Sequence, residues 1–265
     1  MDLDIAGRTA LVTGADSGIG RATVAALLAE GVTVVATAPE QDSLDAMVAE
    51  TGVATHRLRA FAADVTSTEQ VLAVRDSTHR EVGPVDIVVH AAGITGAQGL
   101  FHEVDEAGWQ HTLDVNLMGA VRVLQAFLPD LRRGWGRVVL LTSEDAVQPY
   151  DDELPYCAAK AGLLALAKGL SRSYATEGLL VNTVAPAFIA TPMTDRMMSA
   201  RAEELGSTRE EAIASFLAEE RPFLALARRG RAEEVAAVIT FLCSQRASFV
   251  NGASYRVDGG SVATI

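Results

Sequence analysis

The chain has 265 residues, of which 49% are hydrophobic and 21% charged, so it can bury a sizeable core without disulfides or metal ions. Its 22 Lys and Arg against 34 Asp and Glu give a net charge of −12 at pH 7, which argues against a nucleic-acid or anionic-membrane partner. Two cysteines form no disulfide framework or zinc set, and no stretch is typical of a signal peptide or membrane span, so we expect a cytoplasmic protein.

Short apolar runs rich in β-branched residues alternate with helical patterns along the whole chain. The predicted strands are Ala10–Thr13, Thr33–Thr37, Leu58–Ala62, Ile87–His90, Val138–Thr142, Val181–Val184 and Ser254–Val257. The helical patterns between them include Gly20–Glu30, Thr68–Val82, Ala120–Arg132, Tyr156–Glu177 and Ala232–Gln245. Strands that are apolar on both sides are typical of a parallel sheet with helices on both faces. The alternation predicts one doubly wound α/β domain spanning residues 1–265.

A polar, helical insertion interrupts this alternation at residues 194–222, before the seventh strand. Ligands of open α/β sheets bind beyond the carboxyl ends of the strands, so the insertion is predicted to form a lid over a substrate. The alternative is an extra pair of surface helices. Two roles are open for the apolar residues near the insertion, among them Phe188, Met193 and Met197. They enclose a medium-sized apolar or cyclic substrate, or they belong to the core of the insertion itself.

A glycine-rich turn, Gly14–Gly20, joins the first strand to the first helix. Gly14 permits a tight turn, Gly18 lets the backbone approach a pyrophosphate, and Gly20 allows close helix packing. The positive end of the helix then faces the phosphates. A phosphate-binding P-loop is excluded because no Lys-Ser or Lys-Thr pair follows the glycines. A purely structural turn is the alternative, but the position between strand and helix favours a dinucleotide site.

Tyr156 and Lys160 are four residues apart in a helical pattern, so they share one face of the helix. Tyrosine needs a pKa lowered by roughly 3 units, or about 4 kcal/mol, for acid–base chemistry near neutrality. A neighbouring lysine and an oxidised nicotinamide both favour the phenolate. Ser143 lies at the end of the fifth strand, where its hydroxyl can bind a substrate oxygen. Asn116 lies in a helical segment that is predicted to pass near Ser143.

With these motifs the chain resembles the classical short-chain dehydrogenases/reductases over essentially its whole length. The matching segments are Thr13–Gly20, Asp64-Val65, Asn116, Ser143, Tyr156 with Lys160, Pro186, Thr191–Met193 and Val257–Gly260. The resemblance implies a seven-stranded parallel Rossmann sheet in a homotetramer or homodimer. It also implies an NAD(P)-dependent oxidoreductase that interconverts a secondary alcohol and a ketone.

The resemblance assigns roles to individual residues. Tyr156 is the expected general acid/base, Ser143 polarises the substrate oxygen, Lys160 holds the nicotinamide ribose and lowers the tyrosine pKa, and Asn116 positions a water. The expected cofactor-binding residues are Gly14, Asp16, Ser17, Gly18, Ile19, Gly20, Ala38, Asp64, Val65, His90, Ala91, Gly93, Tyr156, Lys160, Pro186, Ile189 and Thr191. The expected substrate contacts are Ser143, Asp145, Tyr156, Phe188, Met193 and Met197. No metal site is expected.

The chain departs from the family pattern in three places. His90-Ala91 replaces the usual Asn-Asn after the fourth strand, and Pro186-Ala187 replaces the usual Pro-Gly. Ala38 lies where an acid would bind the ribose of NAD, or an arginine the phosphate of NADP. A 2′-phosphate within 4 Å of Asp16 would cost on the order of 4 kcal/mol. The sequence therefore slightly favours NAD(H) over NADP(H).

Several functions remain compatible with these residues. A 3-oxoacyl reductase is the first specific candidate, and a dehydrogenase of a cyclic alcohol or sugar is the second. A dinucleotide-binding sensor or scaffold without turnover is an alternative from another class. A lyase or epimerase on the same fold is a further alternative, and it would leave the cofactor unchanged overall.

Overall fold

A computed structural model describes residues 2–54 and 56–264. The strands of this part of the chain are β1 (Thr9–Thr13), β2 (Thr33–Ala38), β3 (Leu58–Ala62), β4 (Ile87–His90), β5 (Gly136–Leu141), β6 (Leu179–Pro186), β7 (Ile189–Ala190), β8 (Gly230–Arg231) and β9 (Ser254–Val257). Seven of them form one parallel sheet in the order β3-β2-β1-β4-β5-β6-β9. The seven predicted strands are these seven, although Thr142 lies outside β5.

The helices of the described residues are α1 (Gly18–Ala29), α2 (Gln41–Thr51), α3 (Thr68–Glu81), α4 (Glu106–Leu113), α5 (Gly119–Leu131), α6 (Leu154–Ser173), α7 (Pro192–Leu205), α8 (Arg209–Glu219) and α9 (Ala232–Leu242). A π-helical turn, Asp114–Met118, joins α4 to α5. The long helix predicted for residues 156–177 ends earlier, at Ser173, and a 3₁₀ turn follows it.

Consecutive strand residues face opposite sides of the sheet, and each side has its own apolar core. Val12 belongs to the core on one side, together with residues of α1 and α9, and the adjacent Leu11 belongs to the core on the other side, with residues of α3, α5 and α6. This arrangement explains why the strands are apolar on both faces. The predicted doubly wound Rossmann-type sheet with helices on both faces is confirmed.

The predicted insertion folds as the helix pair α7 and α8. Thr191 caps α7 through a hydrogen bond from the Thr194 backbone N–H, and Pro192 occupies the first turn. The pair has a small core of its own, formed by Phe188, Met198, Phe216 and Leu224. In the described residues, no helix combines the length and apolarity that a bilayer crossing requires.

Candidate active site

A cavity of about 590 Å³ opens at the carboxyl ends of the parallel strands. Strands β1 and β4 are neighbours in the sheet. After β1 the chain continues to β2 on one side, and after β4 it continues to β5 on the other side. This is the switch point at which open α/β sheets bind ligands.

The glycine-rich turn forms one wall of this cavity. Gly14 has a φ of +61°, and a Cβ at this position would lie 2.9 Å from the Ala92 backbone. A Cβ on Gly20 would lie 2.0 Å from the Gly14 carbonyl oxygen, so the turn closes only with glycine. Ser17 precedes α1 without a side-chain cap, which leaves the first backbone N–H groups of the helix for a ligand.

Ser143 follows β5 and is hydrogen-bonded to Asp145. The Ser143 hydroxyl donates to Oδ2 of Asp145 at 3.0 Å, and the Asp145 backbone N–H donates back to Oγ of Ser143 at 3.3 Å. Both residues are buried and both line the cavity. The hydroxyl of Ser143 is therefore held in place by a buried carboxylate.

Tyr156 lies near the start of α6 and also lines the cavity. Burial of its hydroxyl raises the pKa of Tyr156, and the negative charges of Asp145 and Glu153 raise it further. The hydrogen bond from the Ser143 hydroxyl acts in the opposite direction, but burial and the two acids prevail, so the pKa of Tyr156 lies above its ordinary value.

Lys160 lies one turn further along α6, with Nζ 5.3 Å from the centre of the Tyr156 ring. Its ammonium donates to the Leu141 carbonyl oxygen at 3.0 Å. Burial lowers the pKa of Lys160 to about 8, against the attraction of Asp145. Its remaining protons are free for a ligand in the cavity.

Asn116 lies in the π-helical turn and is fully buried, but it does not line the cavity. Its amide group is used within the fold. Oδ1 accepts from the Ile94 N–H at 3.1 Å, and Nδ2 donates to the carbonyl oxygens of Ile94 and Thr112, both at 3.0 Å. The side chain thus holds the loop after β4 against α4, and the expected role of Asn116 in positioning a water stays a prediction.

His90 is buried behind the cavity wall, and its expected cofactor contact stays a prediction. Its ring is 1% exposed, lies outside the cavity lining, and places Nδ1 3.0 Å from Oγ1 of Thr13. Thr13 in turn accepts the Ala92 N–H at 3.1 Å, so the ring supports the loop behind Ala92. Burial, and then the charge of Lys160, lowers the pKa of His90 to about 3, so the ring is neutral.

The remaining predicted residues do lie around the cavity. Those from the cofactor prediction are Gly14, Asp16, Ser17, Gly18, Ile19, Gly20, Ala38, Asp64, Val65, Ala91, Gly93, Tyr156, Lys160, Pro186, Ile189 and Thr191. Those from the substrate prediction are Ser143, Asp145, Tyr156, Phe188, Met193 and Met197. Phe188 also belongs to the core beneath α7 and α8, as the alternative interpretation predicted, and its contact with a substrate stays a prediction.

Several polar residues that line the cavity were not among the predicted site residues, and four of them bear on its chemistry. Thr37 is the penultimate residue of β2, and its buried hydroxyl has no partner among the described residues. Glu144, Glu153 and Arg221 surround Ser143 and Tyr156. Burial raises the pKa of Glu144 to about 7, and burial with the charge of Asp145 raises the pKa of Glu153 to about 7.

The residues present fit a dinucleotide. The uncapped start of α1 suits a pyrophosphate, the unpartnered Thr37 hydroxyl suits a ribose, and Lys160 has protons to donate near Tyr156. No cluster of His, Cys, Asp and Glu able to hold a metal ion occurs in residues 2–54 and 56–264.

Comparisons with known proteins agree with this geometry. A family model described as enoyl-(acyl carrier protein) reductase matches residues 14–262. A nodulation protein G from a Rhizobium species is 34% identical over 258 residues, covering 97% of this chain and 98% of the relative. A 3-oxoacyl-(acyl-carrier-protein) reductase from Thermotoga maritima is 33% identical over 257 residues, covering 97% and 98%. The structure of L-sorbose reductase from Gluconobacter frateurii, complexed with NADPH and L-sorbose, aligns with a TM-score of 0.92 at 32% identity over 100% of both chains.

Proposed function

Because this chain belongs to the short-chain dehydrogenase/reductase family and is an NAD(P)-dependent oxidoreductase of secondary alcohols and ketones, we propose that Ser143, Tyr156 and Lys160 carry out its chemistry. The observation that carries this proposal is their convergence on one cavity whose wall includes the uncapped start of α1.

The dinucleotide, when bound, donates the hydride to the ketone carbon or accepts it from the alcohol carbon. In reduction, Tyr156 gives its phenolic proton to the carbonyl oxygen while the Ser143 hydroxyl donates a hydrogen bond to the same oxygen. In oxidation, the Tyr156 phenolate takes the proton of the alcohol. The Lys160 ammonium, 5.3 Å from the centre of the Tyr156 ring, would favour that phenolate and would donate to the ribose of the cofactor.

A Tyr156→Phe variant tests this assignment. It removes the transferable proton and keeps the ring, so turnover should fall by at least about 10²-fold, while the affinity for the dinucleotide stays within a few-fold. Retained turnover would contradict the role of Tyr156. Dinucleotide binding without turnover of any ketone or alcohol by the unmodified protein would instead favour a sensor or scaffold.

We propose that the cofactor is NAD(H) rather than NADP(H). The acids Asp16 and Glu40 line the cavity at the ends of β1 and β2, and neither Lys nor Arg lines it there among the described residues. The nearby Arg21 is paired with Glu50. NADP(H) is the alternative cofactor, because the structure of the L-sorbose reductase contains NADPH. Parallel titrations with NADH and NADPH, followed by nicotinamide fluorescence, test the preference; tighter binding of NADPH would overturn it.

We further propose that residues 194–222 act as the substrate lid. Met193, Met197 and Phe188 line the cavity on this side, and Arg221 at the end of the segment reaches the buried Glu144. The apolar residues suit a medium-sized or cyclic substrate, and the name of the Thermotoga relative keeps a 3-oxoacyl substrate as the alternative.

The remaining proposals concern assembly and location. We propose that the protein is a homotetramer or homodimer, because apolar side chains such as Phe101 and Phe249 are exposed on the single chain. Light scattering at micromolar concentration tests the oligomeric state. The buried, unpaired Cys157 and Cys243 support a cytoplasmic location.

A further inference from the structure

The carboxylate of Asp145 is hydrogen-bonded to the reactive serine. A Ser143 hydroxyl has one proton, and this structure gives that proton to Oδ2 of Asp145 at 3.0 Å. The proposed reduction needs the same proton on the substrate oxygen. Asp145 therefore competes with a ketone for the Ser143 hydrogen bond.

The other carboxylate oxygen of Asp145 is incompletely satisfied. Oδ1 is buried and has no hydrogen-bond partner among the described residues, although the carboxylate can accept several hydrogen bonds. Asp145 is 6% exposed and lines the cavity beside Ser143. Rotation about its soft terminal torsion exchanges the two oxygens, so either one can face a ligand.

A hydrogen-bond donor supplied by the substrate would remove this conflict. If the substrate donates to Asp145, the carboxylate gains the partner that it lacks, and the proton of Ser143 is released for the reacting oxygen. Oγ of Ser143 and Oδ2 of Asp145 lie 3.0 Å apart, so a donor at a similar distance from the reacting oxygen can reach Asp145 while that oxygen binds Ser143. Two heteroatoms on adjacent carbons meet this requirement.

We propose, resting on the oxidoreductase function above, that the substrate carries a hydrogen-bond donor on the carbon next to the reacting carbon, as in an α-hydroxy ketone and its vicinal diol. The reaction is balanced as α-hydroxy ketone plus NADH plus a proton giving vicinal diol plus NAD⁺. A vicinal amino alcohol offers the same donor chemistry with a positive charge. A 3-oxoacyl thioester has no such donor and would leave Asp145 in competition for Ser143.

Matched substrates test the proposal on the purified enzyme. The kcat/KM values are compared for 2-hydroxycyclohexanone and cyclohexanone in reduction, and for cyclohexane-1,2-diol, 2-aminocyclohexanol and cyclohexanol in oxidation. A charged acceptor is expected to favour each donor-bearing compound by at least about tenfold. The better of the diol and the amino alcohol identifies the donor as hydroxyl or ammonium. Equal values with and without the donor would overturn the proposal.

Variants of Asp145 test whether this residue causes the preference for substrates that carry the donor. In Asp145→Ala the preference should fall to within about threefold of unity, whereas Asp145→Asn, which keeps an acceptor oxygen, should retain part of it. Asp151→Asn removes the same charge at an exposed position of the same segment and should leave the preference unchanged. A preference that survives Asp145→Ala would overturn the proposal.

Calorimetric binding of cyclohexane-1,2-diol and cyclohexanol to the same proteins separates this inference from the proposed function. Tighter binding of the diol that is lost in Asp145→Ala supports the inference, and equal binding overturns it. Diol binding through Asp145 without hydride transfer from any of the compounds would contradict the oxidoreductase function alone.

Discussion

The Arg221 guanidinium contacts the buried Glu144 carboxylate, with Nε of Arg221 3.3 Å from Oε1 of Glu144. The two residues are separated by most of the α7–α8 segment and all of α6. Arg221 also stacks on the Tyr150 ring, 3.6 Å from its centre. This contact joins the end of the proposed lid to the loop that carries Ser143.

Replacing Arg221 should therefore affect the substrate more than the cofactor. Arg221→Met keeps the apolar contacts and removes the charge, which leaves Glu144 buried without its cation. We expect KM for the substrate to rise about tenfold, with the NADH dissociation constant within about threefold of the original. Arg209→Met, at an exposed position at the start of α8, is the control. An unchanged KM would show that the contact does not hold the lid.

Glu144 should make the protein less stable as the pH rises. Burial raises its folded-state pKa to about 7 from an ordinary value of 4.5, so the folded protein holds the proton more tightly than the unfolded chain. The resulting stabilisation is complete below pH 4.5 and is lost as the pH rises through about 7.

A Glu144→Gln variant has no such proton to lose. Relative to the unmodified protein, its free energy of unfolding should increase between pH 5 and pH 8, by up to about 3 kcal/mol. Urea unfolding of both proteins at the two pH values measures this difference. The same difference at both pH values would exclude Glu144 as a titrating group.

Glu153 should control the pH dependence of alcohol oxidation. Its charge raises the pKa of Tyr156, and Glu153 is itself ionised above about pH 7. Glu153→Gln removes that charge, so the phenolate forms at lower pH and the kcat profile for oxidation shifts downward on the pH axis. Asp151→Asn is the control, with no expected shift. A profile that moves upward would mean that Glu153 does not act through Tyr156.

Two glycine-to-alanine substitutions test whether the glycine-rich turn needs glycine for cofactor binding, one in the turn and one at an exposed position of α6. Gly20→Ala places a methyl group against the Gly14 carbonyl oxygen, so it should distort the turn and weaken NADH binding by at least about tenfold. Gly169→Ala has nothing within 4 Å of the added Cβ and lies on the exposed side of α6, so it should stabilise the fold by about 0.5–1 kcal/mol. Thermal unfolding and fluorescence titration measure both. Equal NADH affinity in the two variants would contradict the role of the turn.

The strands could be predicted because their residues leave little choice. Ile87–His90 and Leu58–Ala62 match the structure at both ends, since each run is mainly apolar and begins directly after a charged residue, Asp86 or Arg57. Helices α2 and α4 were not predicted. In α2 the buried residues are Leu44 and Met47, and in α4 the one buried residue is Thr112, so neither helix has a clear apolar face.

The site could be predicted in its position but not in its electrostatics. The order of the motifs along the chain was sufficient to place Gly14, Ser143 and Tyr156 around one cavity, which lies at the carboxyl ends of the strands. The raised pKa of Tyr156 depends first on the burial of its hydroxyl and then on how closely Asp145 and Glu153 approach it, and no spacing along the chain reveals either. The inward turn of His90 likewise follows from the hydroxyl of Thr13, a residue 77 positions away.

The separate core of α7 and α8 has a consequence for how this protein can change. Because Phe188, Met198, Phe216 and Leu224 pack largely on one another, the helix pair can accept new side chains toward the cavity without disturbing the sheet. Residues 188–224, which contain all four core residues, are thus expected to be exchangeable between relatives as one unit. Grafting this segment alone would be expected to transfer part of the preference for a substrate while the dinucleotide half of the protein stays as it is.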